Sequence, residues 1–216
     1  RLADAVDSHI RQIVAPPINR PSWENGRYNP TPTIIEAAKA MYAGHEVLDI
    51  YRNDAAAKNL TDTFRGVQRI IEQAQTTRTK CICFVTGVPG AGKTLVGLNV
   101  ATAHMDAAEA QHSVFLSGNQ PLVSVLRESL AIDTVRRKGE AGTKIRKSDA
   151  RRQVETFVQN VHHFRDEYLR DPRPPTDGVA IFDEAQRAWN VQQTVDFMRR
   201  KRKQPNFSQS EPEFLL

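Results

Sequence analysis

Cys81-Ile82-Cys83-Phe84-Val85-Thr86-Gly87-Val88-Pro89-Gly90-Ala91-Gly92-Lys93-Thr94 is the stretch on which the fold of this 216-residue chain turns. Cys81 to Val85 form a continuous apolar run, the pattern of a strand buried on both faces of a parallel sheet. Glycines follow at once, and a helical pattern opens at Lys93 and is expected to run to about Ala108. Residues 87 to 94 match G-x-x-x-x-G-K-S/T in full. Gly87, Gly90 and Gly92, with the small Ala91 in the same loop, let backbone N–H groups turn inward around phosphate oxygens without side-chain clash. The helix beginning near Lys93 points its positive end at the same anion. Lys93 is placed to reach β- and γ-phosphates, and the Thr94 hydroxyl to hold magnesium.

Phosphate chemistry also needs an acid. Ile181-Phe182-Asp183-Glu184 supplies a pair at the end of a second apolar run, Val179 to Phe182. That is the C-terminal end of a predicted strand, where ligands bind in open α/β sheets. Asp183 is the candidate magnesium ligand, and Glu184 the candidate group that orients or deprotonates an attacking water. An isolated Asp-Glu is ordinarily a helix start; the complete glycine loop upstream favours the chemical reading.

Between the two motifs, Ser113-Val114-Phe115-Leu116 reads as a further strand, and Pro121 opens a helix through about Leu130. Residues 133 to 148 read as a charged loop, followed by one helix from about Ser148 to Leu169 and a Pro-rich turn at 171 to 175. Strand, helix, strand, helix, strand predicts an open parallel α/β sheet with right-handed crossovers. Upstream, residues 1 to 32 are rich in turn signals. Thr33-Ile34-Ile35-Glu36 is a capping box that opens a short helix to about Ala43, and Asp54 to about Gln75 carries Leu60, Phe64, Val67, Ile70 and Ile71 at helical spacing. The expected division is a helical, turn-rich appendage at 1 to 78, an α/β lobe at 79 to 198, and a basic tail at 199 to 216.

Composition closes off several function classes. No run approaches 18 apolar residues, so no membrane-spanning helix is expected. Two cysteines one residue apart make neither a disulfide framework nor a zinc site; core packing on the first strand is the expectation for both. With no secretory signal at the N-terminus, the expected compartment is the reducing cytoplasm. His162-His163 lacks a carboxylate at zinc-protease spacing and reads as packing or surface, while Trp189, alone after the acid pair, reads as a packing residue ahead of a base-stacking one. The net charge of +5 is uneven: residues 136 to 152 hold a local +6, and Arg199-Arg200-Lys201-Arg202-Lys203 another +5. Such blocks either grip phosphate backbones or stand as solvated surface.

With these residues in view the chain resembles the Schlafen-type DNA/RNA helicase-domain family, itself similar to superfamily 1 helicases. Four stretches carry the likeness: Tyr28 to Ala38, Phe84 to Thr94, Leu116 to Val123, and Asp183-Glu184-Ala185-Gln186-Arg187-Ala188-Trp189. The resemblance implies a RecA-like P-loop NTPase lobe with Walker A and Walker B motifs, using ATP and Mg2+ and acting on nucleic acid, DNA or RNA. Asp183 to Gln186 resembles the DExxQ motif II, with its Gln one position early. By the resemblance Gln186 senses the γ-phosphate, and Leu116 to Val123 corresponds to motif Ia, making Ser117 and Asn119 candidate contacts to nucleic-acid phosphates. For these two the alternative is a capped loop leading into the helix at Pro121. Gln68 is an ordinary exposed helical position or, by the same resemblance, an adenine reader. A motor of this type has a second RecA-like lobe, whereas this sequence stops 33 residues after Asp183 and lacks an initiator Met, so a fragment is expected. Arginine fingers contribute roughly 10³- to 10⁵-fold in related enzymes; without them weak binding and little hydrolysis are expected. Two other classes fit the same motifs: a nucleotide-binding regulatory or scaffold module that switches without translocating, and an AAA-type ATPase acting on protein.

Overall fold

The computed structural model describes residues 32–45, 54–104, 112–170 and 178–215. The expected N-terminal turns, the Tyr28 to Thr31 part of the resemblance, the Pro-rich 171 to 175 turn and the stretch to Ala108 lie outside them. The chain divides between Thr31 and Pro32, and all the described residues belong to the unit from Pro32 onward.

Helix α1 (Ile34–Tyr42) starts where the capping box predicts. The Thr33 backbone N–H donates to Glu36 Oε2 at 2.8 Å, and the Glu36 N–H donates to Thr33 Oγ1 at 3.3 Å. One face buries Ala37, Ala38 and Met41. Helix α2 (Asp54–Thr77) follows, then α3 (Lys93–Ala103), β1 (Ser113–Ser117) and α4 (Gln120–Glu140). The remainder is α5 (Lys147–Phe157), β2 (Val158–Asn160), α6 (Val161–Tyr168), β3 (Val179–Asp183), α7 (Val191–Phe197) and α8 (Glu211–Leu215).

The three strands make one parallel sheet in the order β2-β1-β3. All five residues of β1 are buried, as a central strand covered on both faces requires. Side chains alternate across it. Phe115 joins the larger core, with residues of α1 to α5, while Val114 and Leu116 meet Val161 and Phe164 of α6 on the other face. Register places Ser117 opposite Asn160 on one side and Asp183 on the other. The three strands thus end level, on one rim.

Helices α1 and α2 both pack on α3, and α1 also on α4. Leu60 of α2 belongs to the same core as Leu98 and Phe115.

The largest correction concerns the opening stretch. Cys81 to Val85 is no strand: residues 79 to 88 are irregular, Ile82 is 55% exposed and Phe84 83%. Cys81 and Cys83 are exposed free thiols rather than core. The sequence has strand composition, but a strand exists only where a neighbour satisfies its backbone. The outer edge of β3 carries no strand among the described residues. The Cys81 to Val85 segment, expected to continue the sheet, stands without a ladder.

Two boundaries also differ. Helix α4 runs ten residues past Leu130 because the charges expected to form a loop pair along its surface: Arg136 with Asp133 and Glu140, and Arg137 with Asp133. The loop shrinks to residues 141 to 146. The single helix expected over 148 to 169 is cut by β2, whose Val158 and Asn160 are buried against β1. Asn160 then caps α6, accepting from the His162 N–H at 2.9 Å.

Candidate functional site

The 87–94 loop leads into α3, whose N-terminus has no side-chain cap. The first ladder bond there is Val96 N–H to Gly92 O at 3.0 Å; the Lys93, Thr94 and Leu95 amides have no acceptor within the helix, an arrangement that attracts anions. Gly92 makes the turn possible. Its φ is +83°, and a Cβ there would stand 2.5 Å from Leu60 Cδ2. Gly97, one turn further on, brings α3 against the sheet, since its Cβ would lie 3.0 Å from Ile181 Cγ2. The Lys93 ammonium folds back over the loop and donates to the carbonyls of Gly87 at 2.9 Å and Val88 at 3.0 Å. Ala91 closes the turn through its N–H to Val88 O at 3.1 Å, and Gly90 holds φ +79° within it.

Strand β3 delivers the acid pair to this loop. The Thr94 hydroxyl donates to Asp183 Oδ1 at 3.0 Å, joining residues 89 positions apart. Asp183 Oδ2 is buried and has no hydrogen-bond partner among the described residues. Burial pushes the Asp183 carboxyl above its ordinary range; the Thr94 hydrogen bond opposes this and the neighbouring Glu184 charge adds to it. A buried carboxylate oxygen left without a partner costs about 1–3 kcal/mol. This oxygen and the Thr94 hydroxyl offer the hard oxygens that suit a magnesium ion, and the Lys93 ammonium offers a cation that suits phosphate oxygens. The residues fit that pair of groups.

Glu184 is held at φ +57°, left-handed for a non-glycine residue, at a cost of about 1–3 kcal/mol that is commonly found at functional sites. The chain then makes a 3-10 turn, Ala185–Arg187. The Glu184 carboxylate accepts from the Gln186 side-chain amide and lies 3.8 Å from the Arg187 guanidinium. Gln186 is brought to Glu184, not to the glycine loop.

The remaining candidates take other places. The Ser117 side chain is fully buried and its hydroxyl accepts from the Asn119 N–H at 3.2 Å. Asn119 caps α4 by accepting from the Leu122 N–H at 3.5 Å. Both follow the capped-loop alternative, and Ser117 presents nothing to a nucleic-acid strand. Gln68 is half-buried rather than exposed, and its Oε1 lies 2.6 Å from His104 Nε2.

A cluster behind the acid loop escaped the sequence reading. Arg165 is fully buried, with Nη1 2.8 Å from Glu211 Oε1, itself fully buried. Glu211 also lies 2.6 Å from His162 Nδ1 and accepts from the Trp189 N–H at 3.0 Å. Arg165 further contacts Asp166, which Arg202 also grips. The Trp189 ring packs against His162 at 4.3 Å between centroids, with the Arg165 guanidinium 5.3 Å from its centroid. The only signal was an arginine between Phe164 and Tyr168 on a half-apolar helix.

No helix among the described residues is long and apolar enough to cross a membrane. Among the same residues no group of three His, Cys, Asp or Glu is gathered for a metal. Neither a curated protein nor a solved structure matches the chain. Residues 80–216, well over half of it, match the family model described as Schlafen group 3, DNA/RNA helicase domain. The match covers the glycine loop, the acid pair and the cluster behind them, so the chain belongs to the Schlafen group 3 helicase-domain family.

Proposed function

We propose that this chain is the nucleotide-binding lobe of a helicase-type motor that hydrolyses ATP and acts on DNA or RNA. The observation that carries the proposal is the Thr94–Asp183 hydrogen bond, with its orphaned Oδ2, set against the glycine loop. It joins the two halves of a P-loop site from distant sequence. Gly87, Gly90, Ala91 and Gly92 with the free amides of α3 cradle phosphates. Lys93 exchanges two loop carbonyls for phosphate oxygens. Thr94 and Asp183 hold magnesium, which when bound offsets charge building on the transferred phosphoryl group. Glu184 orients or deprotonates water, and Gln186, already bonded to Glu184, links that water to the state of the nucleotide. Two exposed free thiols support a reducing, cytoplasmic setting.

The test measures binding of a fluorescent ATP analogue, and ATP turnover with and without single-stranded DNA or RNA, beside Lys93→Ala. Lys93-dependent turnover raised by one of the nucleic acids is the expected result. Lys93-dependent binding with no stimulated turnover replaces the motor with a regulatory switch, and binding indifferent to Lys93 removes the P-loop assignment altogether.

A further inference from the structure

The two basic blocks, +6 and +5 in the sequence, sit in different surroundings in the structure. In the first, ion pairs take up five of the eight cations, Arg136 and Arg137 with Asp133, Lys147 with Glu128, Arg151 with Glu155, and Arg152 with Asp149. They leave Lys138, Lys144 and Arg146 at the end of α4 and in the loop after it, lining neither of the two depressions found beside the second block. In the second, Arg200 lies 3.9 Å from Asp196 and Arg202 is held by Asp166. Arg199, Lys201 and Lys203 are exposed and have no acidic partner among the described residues.

These residues stand on a turn of π-helix, Met198–Arg202, a form enriched at functional sites. Lys203 closes it in the left-handed region at φ +56°. The turn is anchored from beneath: Met198 is buried, and Arg202 reaches through Asp166 to the fully buried Arg165. Two depressions meet at Lys201. One, of about 380 Å³, runs along Asp166, Arg170, Lys201 and Lys203; the other, of about 570 Å³, along Trp189, Asp196, Phe197 and Arg200, and both aspartates are engaged by arginines.

We propose that this groove and the π-helical turn bordering it hold the phosphodiester backbone of a single-stranded nucleic acid, with Lys201 and Lys203 in the groove and Arg199 on the turn as the phosphate contacts. The proposal rests on the helicase-type reading above and names where that reading's nucleic acid is gripped. Three unpaired cations on a fixed turn complement a polyanion. Depressions of a few hundred Å³ admit a flexible phosphodiester chain, whereas a duplex is a wide rigid cylinder. Base stacking does not contribute. The Trp189 ring is covered by His162 and Arg165, and Phe197 has the Arg165 and Arg202 guanidiniums each 5.1 Å from its centroid. Recognition is therefore of backbone, with little preference among bases.

The experiment is fluorescence anisotropy of labelled single-stranded DNA and RNA 20-mers against the 216-residue chain over a salt series. R199E/K201E/K203E is compared with K138E/K144E/R146E, three substitutions in the first basic block, and melting temperatures verify folding of both. The first triple variant is expected to bind about tenfold or more weaker, with the slope of log affinity against log salt shallower by about 2, the share of three single-strand phosphate contacts. The second is expected to change affinity less than about twofold. Equal losses in both variants overturn the proposal, because they report overall charge. Wild-type affinity in the first variant, or a wild-type chain that prefers phosphatidylserine vesicles to either 20-mer, overturns it as well. Lys93-dependent binding of the ATP analogue is read in parallel. If it persists while nucleic-acid binding is absent, this inference fails and the nucleotide site stands.

Discussion

Asp183 carries two opposed demands at the scale of one side chain. Its Oδ2 is buried without a partner, which lifts the carboxyl's pKa in the folded chain above the ordinary 3.8. An acid whose folded pKa is raised costs stability when ionised. That cost is absent below about pH 3.8 and fully present above the folded pKa. Asp183→Asn is therefore expected to stabilise the ligand-free chain at pH 7 by about 1 kcal/mol, discounted for partial exposure, and to abolish magnesium-dependent ATP turnover. The gain in melting temperature should shrink as the pH is lowered toward 3.8; a variant less stable than wild type at pH 7 contradicts the account. Gly92 makes the complementary case. Gly92→Ala forces an L residue to φ +83° and pushes Leu60 aside. The clash is with the far end of a flexible side chain, so the backbone dominates, and a loss of about 1–2 kcal/mol in chemical denaturation is expected. That Thr94 and Asp183 would meet was legible in the sequence, because the G-x-x-x-x-G-K-T pattern and an acid at the end of an apolar run together anticipate that pairing. Ser117 was not, because the motif pattern is blind to burial and the hydroxyl turned inward to brace Asn119.

Among the elements, those with local causes were legible and those with distant causes were not. The capping box fixed α1, Asn119 and Pro121 fixed the start of α4, and the apolar runs fixed β1 and β3. Strand β2 is three residues long and exists because β1 offers it a ladder, so nothing inside Val158-Gln159-Asn160 announces it. The attachment of α8 is equally non-local, resting on Arg165 of α6 and Glu211 of α8, 46 residues apart. Removing one partner of a buried pair strands the other charge, so Arg165→Met is expected to cost about 3–5 kcal/mol. Glu211 also accepts from the Trp189 N–H, so the loss should reach the acid loop and appear as a changed Trp189 emission at denaturant concentrations where the wild type is folded. Trp23→Phe, made in both proteins, leaves Trp189 as the single tryptophan. A cost under about 1 kcal/mol, with emission unchanged, would mean that α8 is attached by its apolar residues alone.

For the whole molecule, the apolar stretch that suggested the fold class is also where the sheet stops short. The parallel α/β class was legible from alternation of apolar runs with helices, and β1, β3 and the helices on both faces realise it. Pairing was not legible, because an apolar run states only that a strand is possible and says nothing about whether a neighbour stands beside it. The consequence is an exposed face on which Ile82, Phe84 and Val88 are 55%, 83% and 73% exposed. Contiguous apolar surface and unpaired strand edges of this kind drive self-association. The chain is expected to show concentration-dependent sedimentation, reduced by Phe84→Lys. The same substitution separates two states of the segment. Were Phe84 packed in a central strand, a charge there would cost at least the roughly 3–5 kcal/mol of emptying a buried aromatic site. On an open face it should change unfolding free energy by no more than about 0.5 kcal/mol. Better solubility at unchanged stability is the expected pair of results, and a large loss of stability would place the segment inside a completed sheet.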